Sequence, residues 1–248
     1  MELLLFDTHV HIYPEYDLAY LLKQAVINFS VYGNTKYNVL CLTDRQGFDT
    51  VKILKEKKID FINIDDLLIK ILPPNPQIYL LLGKQILTRE KIEVLGIGLR
   101  EQIEDRLPID AVINQIISYS ALPVLPWGLG KWFFQRGDII SEIFTRRKDV
   151  LIGDIRQRFF RSRLLAKFSP SHNLLAGSDP LPFHGEEKVV GKLATGFILD
   201  KLPATFNSDF CKDTLKGIYG RGVVKGERDS FFNCLRRRYL RNYVNAKQ

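Results

Sequence analysis

Apolar residues in this chain come in short runs divided by polar turns, and the runs switch between two periods. Leu3-Leu4-Leu5 is a compact apolar run that reads as a buried strand leading into Phe6-Asp7-Thr8-His9-Val10-His11. From Leu18 to Phe29, the residues Leu18, Leu21, Leu22, Ala25 and Val26 form the stripe of an amphipathic helix, and Gly33-Asn34 closes it with turn chemistry. Tyr37 to Thr43 predicts a second strand ending at Asp44-Arg45, and Phe48 to Lys57 a second helix. The middle is denser in strands. Leu67 to Leu72, Gln77 to Leu82 and Ile92 to Leu99 are β-prone, with Pro73-Pro74 and Gly83-Lys84 as breaks.

Alternation then resumes. Pro108-Ile109-Asp110 opens a helix to Ser120, Leu122 to Leu125 is a strand broken by Pro126-Trp127-Gly128, and Asp138 to Arg146 is a helix. Val150-Leu151-Ile152 is a strand ending at Gly153-Asp154, Gln157 to Phe168 a basic amphipathic helix, and Asn173 to Ala176 a strand ending at Gly177-Ser178-Asp179-Pro180. Strands and helices in this order, with continuous apolar strands, predict a mainly parallel sheet. About seven such units without a dinucleotide fingerprint point to an α/β fold closed as a distorted TIM-like (β/α)7 barrel, with an open doubly wound sheet as the alternative. Residues 1–200 are assigned to the barrel and 201–248 to an extension packed on it. The alternation lapses from Leu181 on, where Gly191, Gly196, Gly220, Gly222 and Gly226 suggest irregular connections, and the chain ends in a basic amphipathic helix opened by Asp229-Ser230. Phe232, Leu235, Tyr239 and Tyr243 are expected to pack on the domain, with Arg236, Arg237 and Arg241 on the other face.

Composition narrows the setting. With 248 residues and 46% hydrophobic content the chain can bury one large core. Its 36 basic against 28 acidic residues give a net charge of +8, which favours anionic partners: a phosphorylated small molecule first, nucleic acid as the further class. Cys41, Cys211 and Cys234 lack metal-ligand spacing and read as reduced thiols of a cytoplasmic protein. No leader-like segment and no transmembrane run is evident.

Two of only four histidines sit in His9-Val10-His11. Residues at i and i+2 of an extended strand point the same way, so both imidazoles can reach one metal ion, with Asp7 and Thr8 as neighbours in supporting roles. His9, His11, Asp44, Gln85, Asp154 and Asp179 all fall at predicted strand ends, where a barrel places its site.

The set Asp7-Thr8-His9-Val10-His11, Leu42-Thr43-Asp44-Arg45, Leu82-Gly83-Lys84-Gln85-Ile86-Leu87-Thr88, Glu93-Val94-Leu95-Gly96 and Gly177-Ser178-Asp179 resembles, in order, the motifs of the PHP family of metal-dependent phosphoesterases. The amidohydrolase superfamily, which also has an HxH on its first strand and a late aspartate, is a more distant resemblance. The PHP resemblance implies a distorted barrel with two or three divalent metals that cleaves phosphoesters through metal-activated water. His9 and His11 match its first ligand pair and Asp179 its late aspartate. The chain departs from the pattern at Thr43-Asp44-Arg45, at Gln85 in place of glutamate, at Glu93 where a histidine is expected nearby, and at Ser178-Asp179-Pro180-Leu181.

The residues that remain, His9, His11 and Asp179, suffice for one Zn²⁺, Mn²⁺ or Fe²⁺. Asp44 or Asp154 can complete the shell or act as base. A cationic rim of Arg45, Lys131, Arg136, Arg156 and Arg158 can grip an anion in place of the lost ligands, with Lys131 at the reacting group and Trp127 stacking on the substrate. His184 lies beyond Asp179 as a further ligand or acid, whereas His172 precedes its strand and reads as structural. A metal-dependent hydrolase is therefore expected, against a non-catalytic scaffold that binds an anion or protein, or a nucleic-acid-processing protein.

Overall fold

The computed structural model describes residues 1–75, 77–128, 131–132, 134–157 and 163–245, the side chains of 163–165 and 241–245 excepted. The chain runs β1 (Glu2–Val10), α1 (Leu18–Ser30), β2 (Asn38–Leu42), α2 (Thr50–Glu56), β3 (Phe61–Asn63), β4 (Leu68–Ile71), β5 (Ile78–Leu81), β6 (Gly83–Leu87) and β7 (Glu93–Ile97). It continues through α3 (Ile109–Ser118), β8 (Leu122–Trp127), α4 (Gln135–Arg146), β9 (Leu151–Ile155), α5 (Arg163–Phe168) and β10 (Leu174–Gly177). The last part holds β11 (Leu193–Leu199), α6 (Ser208–Lys216), β12 (Val223–Gly226) and α7 (Phe231–Asn245).

The expected barrel does not form. The strands make two mixed sheets, one of seven in the order β12-β11-β1-β2-β5-β4-β3 and one of five in the order β10-β9-β8-β7-β6. Two features of the chain account for this. Only Leu82 separates β5 from β6, so no crossover helix fits between them, and β6 passes into the second sheet to pair antiparallel with β7. At the other side, the Glu2–Phe6 part of β1 is taken by antiparallel β11, so β10 cannot ladder along it.

The sheets meet at two seams. Asp44 N–H donates to Gly83 C=O (3.1 Å) and Gln85 N–H to Asp44 C=O (2.9 Å). Across the fold, Asp179 N–H donates to His9 C=O (2.9 Å). Both seams demand glycine. A Cβ on Gly83 would lie 2.4 Å from Leu42 C=O, and one on Gly177 2.4 Å from His9 N.

Strands read as continuous apolar runs because both faces are covered. Leu4 and Phe6 of β1, Val39 and Cys41 of β2, Leu95 and Ile97 of β7 and Val124 of β8 share one cluster between the sheets, where Phe6 meets Phe197 edge-on at 5.7 Å. Leu5 and Leu40 face the opposite way, onto Leu21, Leu22, Ala25 and Phe29 of α1. That helix is started by Asp17, whose carboxylate accepts from Tyr20 N–H at 3.0 Å. Leu125 and Trp127 pack with α3 and α4 on the outer side of the second sheet.

The C-terminal helix turns over relative to the expectation. Cys234 and Arg237 face inward, while Phe232 is 79% and Tyr239 70% exposed. Arg237 donates to Asp229 Oδ2 (2.7 Å), Glu186 Oε2 (2.5 Å) and Asp179 C=O (2.9 Å), so buried acceptors rather than apolar contact choose the inner face. Ser230 supplies the cap, accepting from Asn233 N–H at 3.4 Å, because the Asp229 carboxylate is held by arginines. Among the described residues the three cysteines are free and buried, and no helix is long and apolar enough to cross a membrane.

Candidate metal centre

β1 delivers its histidines through a bulge. Its register against β2 shifts between Asp7 and Val10. Val10 then packs in the same helix-side cluster as Leu5, although strict alternation would put it with Phe6. The shift therefore sends His9 and His11 into the space between the sheets. Beneath them Asp7 ties the strand end down, its Oδ1 accepting from Ser178 N–H (2.8 Å) and its Oδ2 from Gly191 N–H (2.7 Å). Burial pushes the Asp7 carboxyl up to about 7 despite the bonds it accepts from Ser178 and Gly191.

His9 Nε2 and His11 Nε2 stand 3.1 Å apart. Asp179, just past β10, presents Oδ1 at 3.5 Å from the first and 3.7 Å from the second. It does so from a left-handed backbone, φ +46°, which aspartate tolerates better than most residues. A tetrahedral ion with bonds of about 2.0–2.1 Å holds its donors roughly 3.3–3.4 Å apart. The three observed separations bracket that edge length, and all three side chains are buried. The donor set thus fits a divalent ion.

Protonation agrees. Burial depresses both imidazoles below their ordinary range, most strongly at His11, where Arg45 adds to the effect; neutral rings keep lone pairs for a metal. Thr43 Oγ1 donates to Val10 C=O (3.1 Å) and lies 3.3 Å from His11 Nδ1. With the hydroxyl proton so used, Nδ1–H is the donor in that pair, which leaves Nε2 as the acceptor facing His9 and Asp179. Gln85 Oε1 lies 3.3 Å from His9 Nε2, a contact that only the Nε2–H tautomer makes and that a metal on Nε2 would replace, and the buried Nδ1 of His9 has no hydrogen-bond partner among the described residues.

Charge surrounds this triad. The Lys131 ammonium, from the loop after β8, lies 3.5 Å from Asp179 Oδ2 and bonds Glu93 Oε2. Burial works against its charge, but Glu93 and Asp179 carry its pKa above the usual lysine value. Burial alone would raise the Asp179 carboxyl; Lys131 chiefly reverses this and holds it well below the carboxylate range. Arg45 is half-buried, with its guanidinium 5.9 Å from the Tyr13 ring centre.

The structure distributes the other expected site residues. Asp44 accepts from Thr50 Oγ1 (2.5 Å) and Thr50 N–H (3.0 Å), with Lys84 Nζ at 3.9 Å, so its carboxylate is occupied at the start of α2. Asp154 is fully buried against Arg228, whose Nε donates at 3.2 Å. Arg156 pairs with Asp229 at 2.5 Å, and Arg136 donates to Lys91 C=O at 3.4 Å. Trp127 is buried and packs edge-on against Trp132 at 6.4 Å in the outer core. The His184 side chain is 97% exposed beside Glu187. His172 spans Val150 C=O (2.8 Å) and Phe144 C=O (2.9 Å), and Arg158 lies outside the described residues. Sequence reasoning missed Glu93 and Arg237 as parts of the site. Glu93 had a signal, a lone carboxylate opening an otherwise apolar strand; Arg237 had none beyond helical spacing.

No protein-family model matches the chain, and no curated protein matches it in sequence. Solved structures do share its fold. PsfC from Pseudomonas syringae PB-5123 superposes with a TM-score of 0.58 at 13% identity, covering 100% of this chain and 99% of that one. Endonuclease Q, in complex with a 27-mer duplex substrate with an abasic lesion at the active site, gives 0.60 at 12% identity over 90% of this chain. The lesion-specific endonuclease PfuEndoQ from Pyrococcus furiosus gives 0.56 at 12% identity, also over 90%. The chain spans 58% and 57% of these two endonucleases. At such identities the likeness is one of fold.

Proposed function

We propose that this chain is a metal-dependent hydrolase that holds one divalent ion, Zn²⁺, Mn²⁺ or Fe²⁺, on His9, His11 and Asp179 and cleaves a phosphoester of an anionic substrate. The observation that carries the reading is the triangle of buried donor atoms, 3.1, 3.5 and 3.7 Å on its sides, at the carboxyl ends of β1 and β10. An ion bound there lowers the pKa of a coordinated water and polarises a phosphoryl oxygen. The chain's own groups do the rest. Thr43 fixes the His11 ring, and Asp7 and Arg237 fix the backbone that carries His9 and Asp179. Arg45 at the rim and Lys131 within supply fixed positive charge for phosphate oxygens. Asp44 and Asp154 are engaged elsewhere, and Glu93, its carboxyl held below its usual range, against burial, by Lys131, keeps that ammonium beside Asp179.

A nucleic-acid strand is a second substrate class, favoured by one specific feature. The outer face of α7 presents Phe232 and Tyr239 with Arg236, a pairing of stacking surface and charge on a chain of net charge +8. The test uses metal-loaded protein with bis(p-nitrophenyl) phosphate, a phosphorylated sugar and a fluorescent single-stranded DNA. Hydrolysis of any of these that is abolished by chelation, restored by one metal and lost in His9→Ala supports the reading. Absence of hydrolysis across the panel in protein that retains stoichiometric metal refutes it.

A further inference from the structure

We infer that the ammonium of Lys131 stands in for a second metal ion, so that the centre runs on one exchangeable cation and one built into the chain. This rests on the reading of His9, His11 and Asp179 as a metal centre. The two oxygens of Asp179 serve different cations. Oδ1 faces the histidine pair at 3.5 and 3.7 Å, while Oδ2 faces Lys131 Nζ at 3.5 Å. One carboxylate oxygen per cation is the arrangement that bridges neighbouring ions in two-metal hydrolases.

Glu93 completes the second position. Its Oε2 bonds the same ammonium, and its charge acts on His9 across the site. Without Lys131, two carboxylates, Glu93 of β7 and Asp179 beyond β10, would converge on one largely enclosed spot with no positive charge between them. Buried like charges of that kind bind a cation or take up a proton. The ammonium is not a mobile surface group that happens to reach in. Lys131 is 17% exposed in its side chain, its N–H donates to Gly128 C=O at 3.1 Å, and the adjoining Trp132 is locked in the outer core against Trp127. Backbone and neighbour therefore aim the side chain between Glu93 and Asp179. Lys131 thus has a carboxylate partner on each side, as a metal would have.

The test is metal stoichiometry by elemental analysis after Mn²⁺ loading and desalting, with the electron paramagnetic resonance spectrum of the bound Mn²⁺. Wild type is expected to hold one ion with the spectrum of an isolated centre. Lys131→Ala, and Lys131→Met, which keeps the unbranched stem without its charge, are expected to hold two ions with an exchange-coupled spectrum. Adding Glu93→Gln to either variant should return the count to one, and Lys131→Arg should stay at one. If wild type holds one ion and a folded Lys131 variant also holds one, the inference is overturned while the metal centre stands. Two tightly held ions in wild type overturn it as well, without recourse to any variant. No bound ion in wild type removes the metal centre itself, and the inference with it.

Discussion

Replacing Arg237 with alanine should destabilise the protein far more than replacing its helical neighbour Arg236. Arg237 is 4% exposed and reaches three acceptors: Glu186, Asp229 and the backbone carbonyl of Asp179. Breaking a buried ion pair from one side costs about 3–5 kcal/mol because the partner charge stays buried. Here Arg156 still covers Asp229 at 2.5 Å, so Glu186, 6% exposed, is the carboxylate that loses its direct cation partner. That places the cost near the lower end, about 3 kcal/mol. For a chain of 248 residues, each kcal/mol moves Tm by roughly 2–4 °C, so Arg237→Ala should melt about 6–12 °C below wild type. Arg237→Lys should recover little, since one ammonium cannot serve three acceptors in a fixed fork. The assay is thermal unfolding followed by circular dichroism, run with and without metal. Arg236 is exposed, and Arg236→Ala should stay within about 0.5 kcal/mol of wild type. Equal melting temperatures for the two alanine variants would refute the claim that Arg237 clamps α7 onto the site.

Thr43→Val removes the acceptor for His11 Nδ1 while keeping the side-chain shape, and metal affinity measured by chelator competition should fall about 10–100-fold. Gly177→Ala drives a methyl group to 2.4 Å from His9 N; it should part the β1–β10 seam and lower both Tm and metal content, whereas alanine at the exposed Gly220, used as a reference, should leave metal content intact. Trp127→Ala, a truncation in the outer core, should cost about 3–5 kcal/mol, read as a lowered Tm in thermal unfolding.

The parts of the site that could be read from sequence were those set by local geometry. His9 and His11 share a direction because side chains alternate along a strand, and Asp179 stands where an apolar run gives way to turn residues. The face of the sheet they occupy was not legible, because it depends on the bulge between Asp7 and Val10, which has no glycine or proline to announce it. Strand order was likewise hidden. Leu193–Leu199 carries Gly196 and sits in a stretch that read as irregular, yet it occupies the edge of β1 that a closing strand would have needed. The alternation of strands and helices says that strands exist and not which of them pair, and a one-residue link at Leu82 is enough to divert the chain into another sheet. Aromatic spacing in α7 did not give the direction of its stripe, since the buried acceptors that pull Arg237 inward come from Glu186 and Asp229, remote from one another in sequence; the side chains of Arg241 and Tyr243 lie outside the described residues.

Anomalous scattering from crystals of the Mn²⁺- or Zn²⁺-loaded protein tests the central claim most directly. A single strong peak is expected at bonding distance, about 2.0–2.2 Å, from His9 Nε2, His11 Nε2 and Asp179 Oδ1, with the Lys131 ammonium still between Asp179 and Glu93. A loaded crystal whose peak lies elsewhere, or which shows none at these three residues, would contradict it.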